Sequence, residues 1–81
     1  MEPDDELAAA IAGRAHWQSA GRSALYTPPG AAAGVRVQPM AQPTRRERYA
    51  AVIVRDGRAE HSRPCHTAIE AIRWAEHVRL D

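Results

Sequence analysis

The clearest pattern of apolar and polar positions lies between Arg48 and Leu80. Tyr49, Val52, Ile53 and Val54 are aromatic or β-branched, types that suit a pleated, half-buried surface. The run stops at Asp56-Gly57, and that dipeptide between two strand-like runs predicts a type I′ hairpin turn, which needs positive φ at both central residues. A two-residue turn sets Val54 beside Ala59 and Ile53 beside Glu60. The second run, Arg58–Arg63, is far more polar. It reads as an edge strand ended by Pro64, which has no N–H to give to a ladder. Apolar residues on both faces of Tyr49–Val54 place that strand in the interior of its sheet. From Thr67 the period changes to that of a helix. Ala68, Ala71, Ile72, Ala75 and Val78 share one face at about 100° per residue, with Arg73, Glu76 and His77 opposite. Thr67 and Glu70 have the spacing of a capping box. The small Ala side chains let this helix lie close on the hairpin, with Trp74 and Ile69 flanking the stripe.

Upstream the pattern is weaker. Asp4, Asp5 and Glu6 follow Pro3, and negative charge there complements a helix N-terminus. Leu7–Ala20 is rich in Ala, the strongest helix former, and Leu7, Ile11 and Ala15 are spaced to share a stripe. A first helix is therefore expected to run to Gly21, with Trp17 anchoring it to the core. Leu25-Tyr26-Thr27 then reads as a short strand, Pro28-Pro29-Gly30 as a stiff turn, and Val35-Arg36-Val37 as another strand. Gln38–Arg46, with Pro39 and Pro43, reads as an extended connector.

These elements define one small domain over residues 1–81, divided into 1–38, a connector at 39–47 and a hairpin plus helix at 48–81. The expected fold class is α+β: an N-terminal helix, a short antiparallel sheet of three or four strands, and a C-terminal helix packed on it. A chain this short buries a modest share of its surface. Many of its apolar residues are Ala and none is Phe, so marginal stability is expected, helped by self-association or a partner. The formal net charge of +1 gives no repulsive reason to stay unfolded. No apolar run reaches the length of a membrane span, and nothing reads as a signal peptide. A soluble, cytoplasmic protein is expected, as a monomer or small homo-oligomer.

Every basic residue is Arg. A GC-rich coding bias accounts for that without function, while the functional reading is that Arg suits bidentate contact with phosphates and carboxylates. Arg45, Arg46 and Arg48, with Arg55, Arg58 and Arg63 beyond them, are the candidate basic patch around the hairpin. Such a patch fits a phosphate backbone or an acidic protein surface. Tyr49 or Trp74 would supply an aromatic anchor. Tyr26 and Tyr49 also have the chemistry to stack on bases, although the core is the better-fitting place for both.

Other chemistry is thin. One cysteine, Cys65, excludes an internal disulfide. His61, Cys65, His66 and His77 are ligand types that zinc favours, but they lack paired-ligand spacing. Cys65 precedes a helix start, where a thiolate is favoured, yet His66 is adjacent in sequence and badly placed to serve as its base. Gly30 and Gly34 are followed by neither a Lys nor a helix, so they form no phosphate loop. No enzyme activity, cofactor or metal is expected.

Ala24-Leu25-Tyr26-Thr27-Pro28-Pro29-Gly30 followed by Val35-Arg36-Val37 resembles the start of phage head–tail joining proteins. In that family a short helix precedes a similar strand–turn–strand segment, and further strands complete a small β-barrel. The match covers roughly Asp4–Pro39, with Ala31 in place of the usual second glycine. The second half, with its Thr67–Ala75 helix, is similar in pattern to the arm-type DNA-binding domains of phage integrases. Both resemblances imply a phage or prophage gene. A small phage-like protein without visible chemistry is also similar in general character to anti-CRISPR proteins. The expected function is therefore a non-catalytic, phage-encoded inhibitor that binds a host CRISPR effector complex. The alternatives are a head–tail joining protein and a DNA-binding accessory module.

Overall fold

The computed structural model describes residues 4–80, so the expectation placed on Pro3 lies outside the described residues. Two helices and five strands follow in the order α1 (Asp5–Ile11), β1 (Trp17–Ala20), β2 (Ser23–Tyr26), β3 (Ala33–Pro39), β4 (Tyr49–Arg55), β5 (Arg58–Cys65) and α2 (Ala68–His77). The strands form one antiparallel meander in chain order. The fold class is α+β as expected, with five strands where the sequence pattern gives three or four.

The hairpin and α2 form for the reasons read from the sequence. Asp56 and Gly57 have φ of 53° and 75°, as a type I′ turn requires. Thr67 accepts a hydrogen bond from the Glu70 N–H at 3.2 Å, while the Glu70 carboxylate takes the N–H of His66, one residue before the cap rather than that of Thr67 itself, at 2.9 Å. Two details differ. Val54 pairs with Ala59, but Ile53 pairs with His61, so Glu60 is the extra residue of a β-bulge. Pro64 also lies within β5 rather than after it. An edge strand tolerates this, because Pro can turn its missing donor away from the ladder.

The larger correction concerns the start of the chain. The first helix stops at Ile11 instead of running to Ala20. Gly13 and His16 both adopt positive φ, at 75° and 70°, which no helix accommodates. Residues 17–20 then leave as a strand and pair with β2 through a turn at Gly21, φ 61°. Trp17 stacks on Tyr26 with centroids 4.9 Å apart, and its indole N–H donates to Glu76 at 3.0 Å. Glu76 also holds Arg14 at 2.6 Å. Long-range contacts thus turn an Ala-rich, helix-compatible segment into a sheet edge.

Both helices lie on one face of the sheet and against each other. Alternation along the strands sends Val35, Val37, Tyr49, Ala51, Ile53 and Cys65 into that layer, where Leu7, Ala68, Ala71, Ile72 and Ala75 meet them. Val78, expected on the buried stripe, is only partly covered. The other face, with Leu25, Arg36, Val52 and Val54, has no helix over it among the described residues. No helix among those residues is long and apolar enough to cross a membrane.

Glu6 ties the two helices to the sheet. Its Oε2 accepts the Ala68 N–H at 2.9 Å, at the start of α2, and its Oε1 pairs with Arg48 at 2.5 Å. The Ala68 hydrogen bond first, and Arg48 second, hold this carboxyl below its usual value of 4.5. A folded value below the unfolded one adds stability above pH ~4.5 that is lost as pH falls through the folded value. Thermal melts should therefore show wild type above Glu6→Gln at pH 6, with the gap closing on acidification below about pH 4.5. A gap that stays constant down to pH 3 would rule this linkage out.

Candidate binding surface

The six candidate arginines do not converge. Arg45 and Arg46 are exposed in the loop between β3 and β4. Thr44 shapes that loop: its hydroxyl accepts the N–H groups of Arg46 at 3.3 Å and Glu47 at 3.0 Å. Arg48 stands at the same end of the hairpin, committed to Glu6 and, at 3.4 Å, to the His66 carbonyl. Arg55 and Arg58 face each other at the opposite end, beside the Asp56-Gly57 turn. The six steps along β4 from Tyr49 to Arg55 separate the two ends by ~20 Å, at roughly 3.3 Å per residue. Arg55 is committed too, donating to Glu60 at 2.7 Å and to the Leu80 carbonyl at 3.1 Å. Glu60 is the bulged residue, and this ion pair gives the bulge a partner on its own hairpin.

Tyr49 is not an available anchor. It is 3% exposed, and its hydroxyl donates to Asp4 at 2.8 Å. Asp4 also caps α1 by accepting the Leu7 N–H at 2.9 Å. Burial first, then the bond to Asp4, push the Tyr49 phenol far above its usual 10. A raised folded value means this contribution is intact below pH 10 and is lost as pH climbs toward the folded value. Tyr49→Phe should lower stability by ~1 kcal/mol near neutrality, the net worth of one hydrogen bond. In melts from pH 8 to 11 it should also lose less stability than wild type above pH 10; equal losses would contradict the assignment.

Trp74 is different. It is half-buried on the side of α2 that meets β5. The Arg63 guanidinium lies over its ring, 5.9 Å from the centroid, and His61 sits against it at 6.1 Å with planes tilted by 37°. His61 and Arg63 are two residues apart on one strand, so they project to the same side and flank the indole. The sequence pattern missed His61 in this role because the bulge at Glu60 sets its facing. The alternation His61, Arg63, Cys65, ending on a core residue, was the available signal. The β5 backbone edge itself is poorly suited to adding a strand: Pro64 removes a donor, Glu60 bulges, and charged side chains line it. Side chains are what this edge offers.

Cys65 is turned into the core at 1% exposed. Burial chiefly, then the charge of Glu70, raise its thiol above the usual 9.0. Its S–H points to the Arg63 carbonyl at 3.7 Å. The expected thiolate-favouring position before a helix is overridden by this dry surrounding. Among the described residues, no three His, Cys, Asp or Glu side chains gather where a metal ion could be held.

No protein-family model matches the chain, and no curated protein or solved structure does either.

Proposed function

We propose that this is a non-catalytic, phage-encoded inhibitor, an anti-CRISPR protein that binds a host surveillance complex in the bacterial cytoplasm and blocks nucleic-acid access or nuclease recruitment. The supporting observation is Trp74, held half-exposed on the β5–α2 edge with Arg63 over its ring and His61 against it. Trp and Arg are the residue types that most often dominate binding interfaces. A ring already flanked by two side chains loses little freedom when a partner covers it. The phage-like wording of residues 24–37 supplies the origin, and exposed Arg45, Arg46 and Arg58 supply charge that would speed approach to a nucleic-acid-rich or acidic target.

The test is a plaque assay on CRISPR-immune cells expressing the protein. Wild type should abolish immunity. Trp74→Ala should restore it, because truncating a hot spot costs ~2 kcal/mol or more, about thirtyfold in affinity. Arg63→Ala should restore it in part, with thermal melts confirming that both variants fold. Unchanged immunity with soluble wild type present would reject the proposal.

The head–tail joining reading is favoured by one observation, a short N-terminal helix upstream of the β2, Pro28-Pro29-Gly30 turn and β3 segment, with β1 inserted between helix and segment. It predicts rings in assembled virions, and a virion without this chain would end it.

A further inference from the structure

A second surface, separate from the β5–α2 edge, lies on the sheet face that no helix covers. The strand register sets Leu25, Arg36, Val52 and Ser62 in one row across it. Val52 is only 6% exposed yet lies outside the helix-side core, so this face has a packed apolar layer of its own. Beside that row is a hollow of ≈ 240 Å³ lined by Leu25, Thr27, Gly34, Arg36 and Val54. Gly34 leaves it open by having no side chain there.

Arg36 is the unusual member. Its Nε is enclosed and has no hydrogen-bond partner among the described residues. The terminal nitrogens of the same guanidinium are not enclosed in this way and make no hydrogen bond among the described residues, so they are what a partner can reach, and a guanidinium is best matched by a carboxylate. Strands β1 to β4 do not supply one, since they contain no acidic residue. Glu60 on β5 is committed to Arg55. A second copy laid face to face would bring two Arg36 guanidiniums into a layer whose one strand acid, Glu60, is already paired with Arg55. Charge complementarity therefore selects a different occupant.

We infer that the uncovered sheet face docks a protein partner presenting an Asp or Glu carboxylate beside an apolar side chain, the carboxylate meeting Arg36 and the apolar group filling the hollow over Gly34. This goes beyond the inhibitor proposal and does not depend on it, since it uses neither Trp74 nor Arg63.

The probes are two acetylated, amidated peptides, Thr-Leu-Thr-Glu-Thr-Leu-Thr and the same peptide with Gln in place of Glu. In an extended conformation the Leu and Glu side chains share a face. Each is titrated into the whole chain while amide shifts are followed by NMR. The expected result is shifts centred on Leu25, Gly34, Arg36 and Val52–Val54, with the Glu peptide bound about tenfold more tightly than the Gln peptide. Arg36→Met, which keeps the apolar stem, should bind both peptides alike. Equal affinity of the two peptides for wild type would overturn the inference without needing any variant. Shifts confined to β5 and α2, or sedimentation showing a dimer that buries this face, would overturn it as well.

Discussion

Ile72→Ala is expected to remove a large part of the molecule's stability. Ile72 is fully buried on α2, among Ala68, Ala71 and Ala75 and above the β3–β4 layer. Truncating such a residue costs ~2–5 kcal/mol, depending on how far the surroundings collapse into the space. Here they can collapse little. The three alanines on the same helix have no rotamers to swing, and Val35, Val37 and Ile53 stand on strands held by neighbours on both sides. The upper half of that range is therefore expected. Proteins carry roughly 0.05–0.15 kcal/mol per residue of stability, on the order of 4–12 kcal/mol for a chain of this size. Urea unfolding should show the midpoint fall sharply with the slope unchanged. Ile69→Ala, one residue inside the same helix but only partly covered, should cost much less. Equal losses at the two positions would mean that Ile72 is not the centre of this core.

The same contrast explains which parts of the fold could be read along the chain. The Asp56-Gly57 turn and the Thr67 cap are local, since the residues that cause them are the residues that adopt them. β1 is not local. Gln18 and Ser19 have no strand signature, and Ala-rich neighbours favour a helix. The strand exists because Trp17 finds Tyr26 and Glu76, the latter 59 positions away. The bulge at Glu60 was hidden for a similar reason, because turn chemistry alone sets a register without it and Arg55 provides the charge that Glu60 meets. The arginines show the limit for binding surfaces. Sequence proximity suggested one patch around the hairpin, but a hairpin has two ends, and Arg45 and Arg46 lie at one while Arg55 and Arg58 lie at the other. Trp74 stayed a candidate because its flank position follows from helical period. Tyr49 did not, because its bond to Asp4 joins residues 45 positions apart. Arg36 was legible only as the polar middle of Val35-Arg36-Val37. That alternation gives its facing but not the lack of any covering element.

Gly34→Ala is expected to destabilise the protein even though glycine inside a strand is ordinarily a weakness. In an unhindered strand, replacing Gly with Ala gains roughly 0.5–1 kcal/mol by lowering the entropy of the unfolded chain. At Gly34 the added Cβ would stand 2.7 Å from the Tyr26 carbonyl oxygen and 3.5 Å from Thr27 Cγ2. The first of these is backbone, so no rotamer change relieves it. Relief requires β2 and β3 to part near the Tyr26–Val35 pair, and that ladder is what joins β1 and β2 to the rest of the sheet. Overpacking of this kind costs ~1–3 kcal/mol, which outweighs the entropic gain. The net loss should appear in urea unfolding, and amide exchange should quicken first along β2 and β3. Gly57→Ala provides the comparison. Its Cβ would meet nothing within 4 Å, but its φ of 75° strains any L side chain, so it should weaken the β4–β5 turn and leave β2–β3 exchange unaltered. A Gly34→Ala variant as stable as wild type would show that the two strands can separate locally at little cost. The hollow beside Arg36 would then be a pliable feature of the sheet rather than one fixed by the close approach of two backbones.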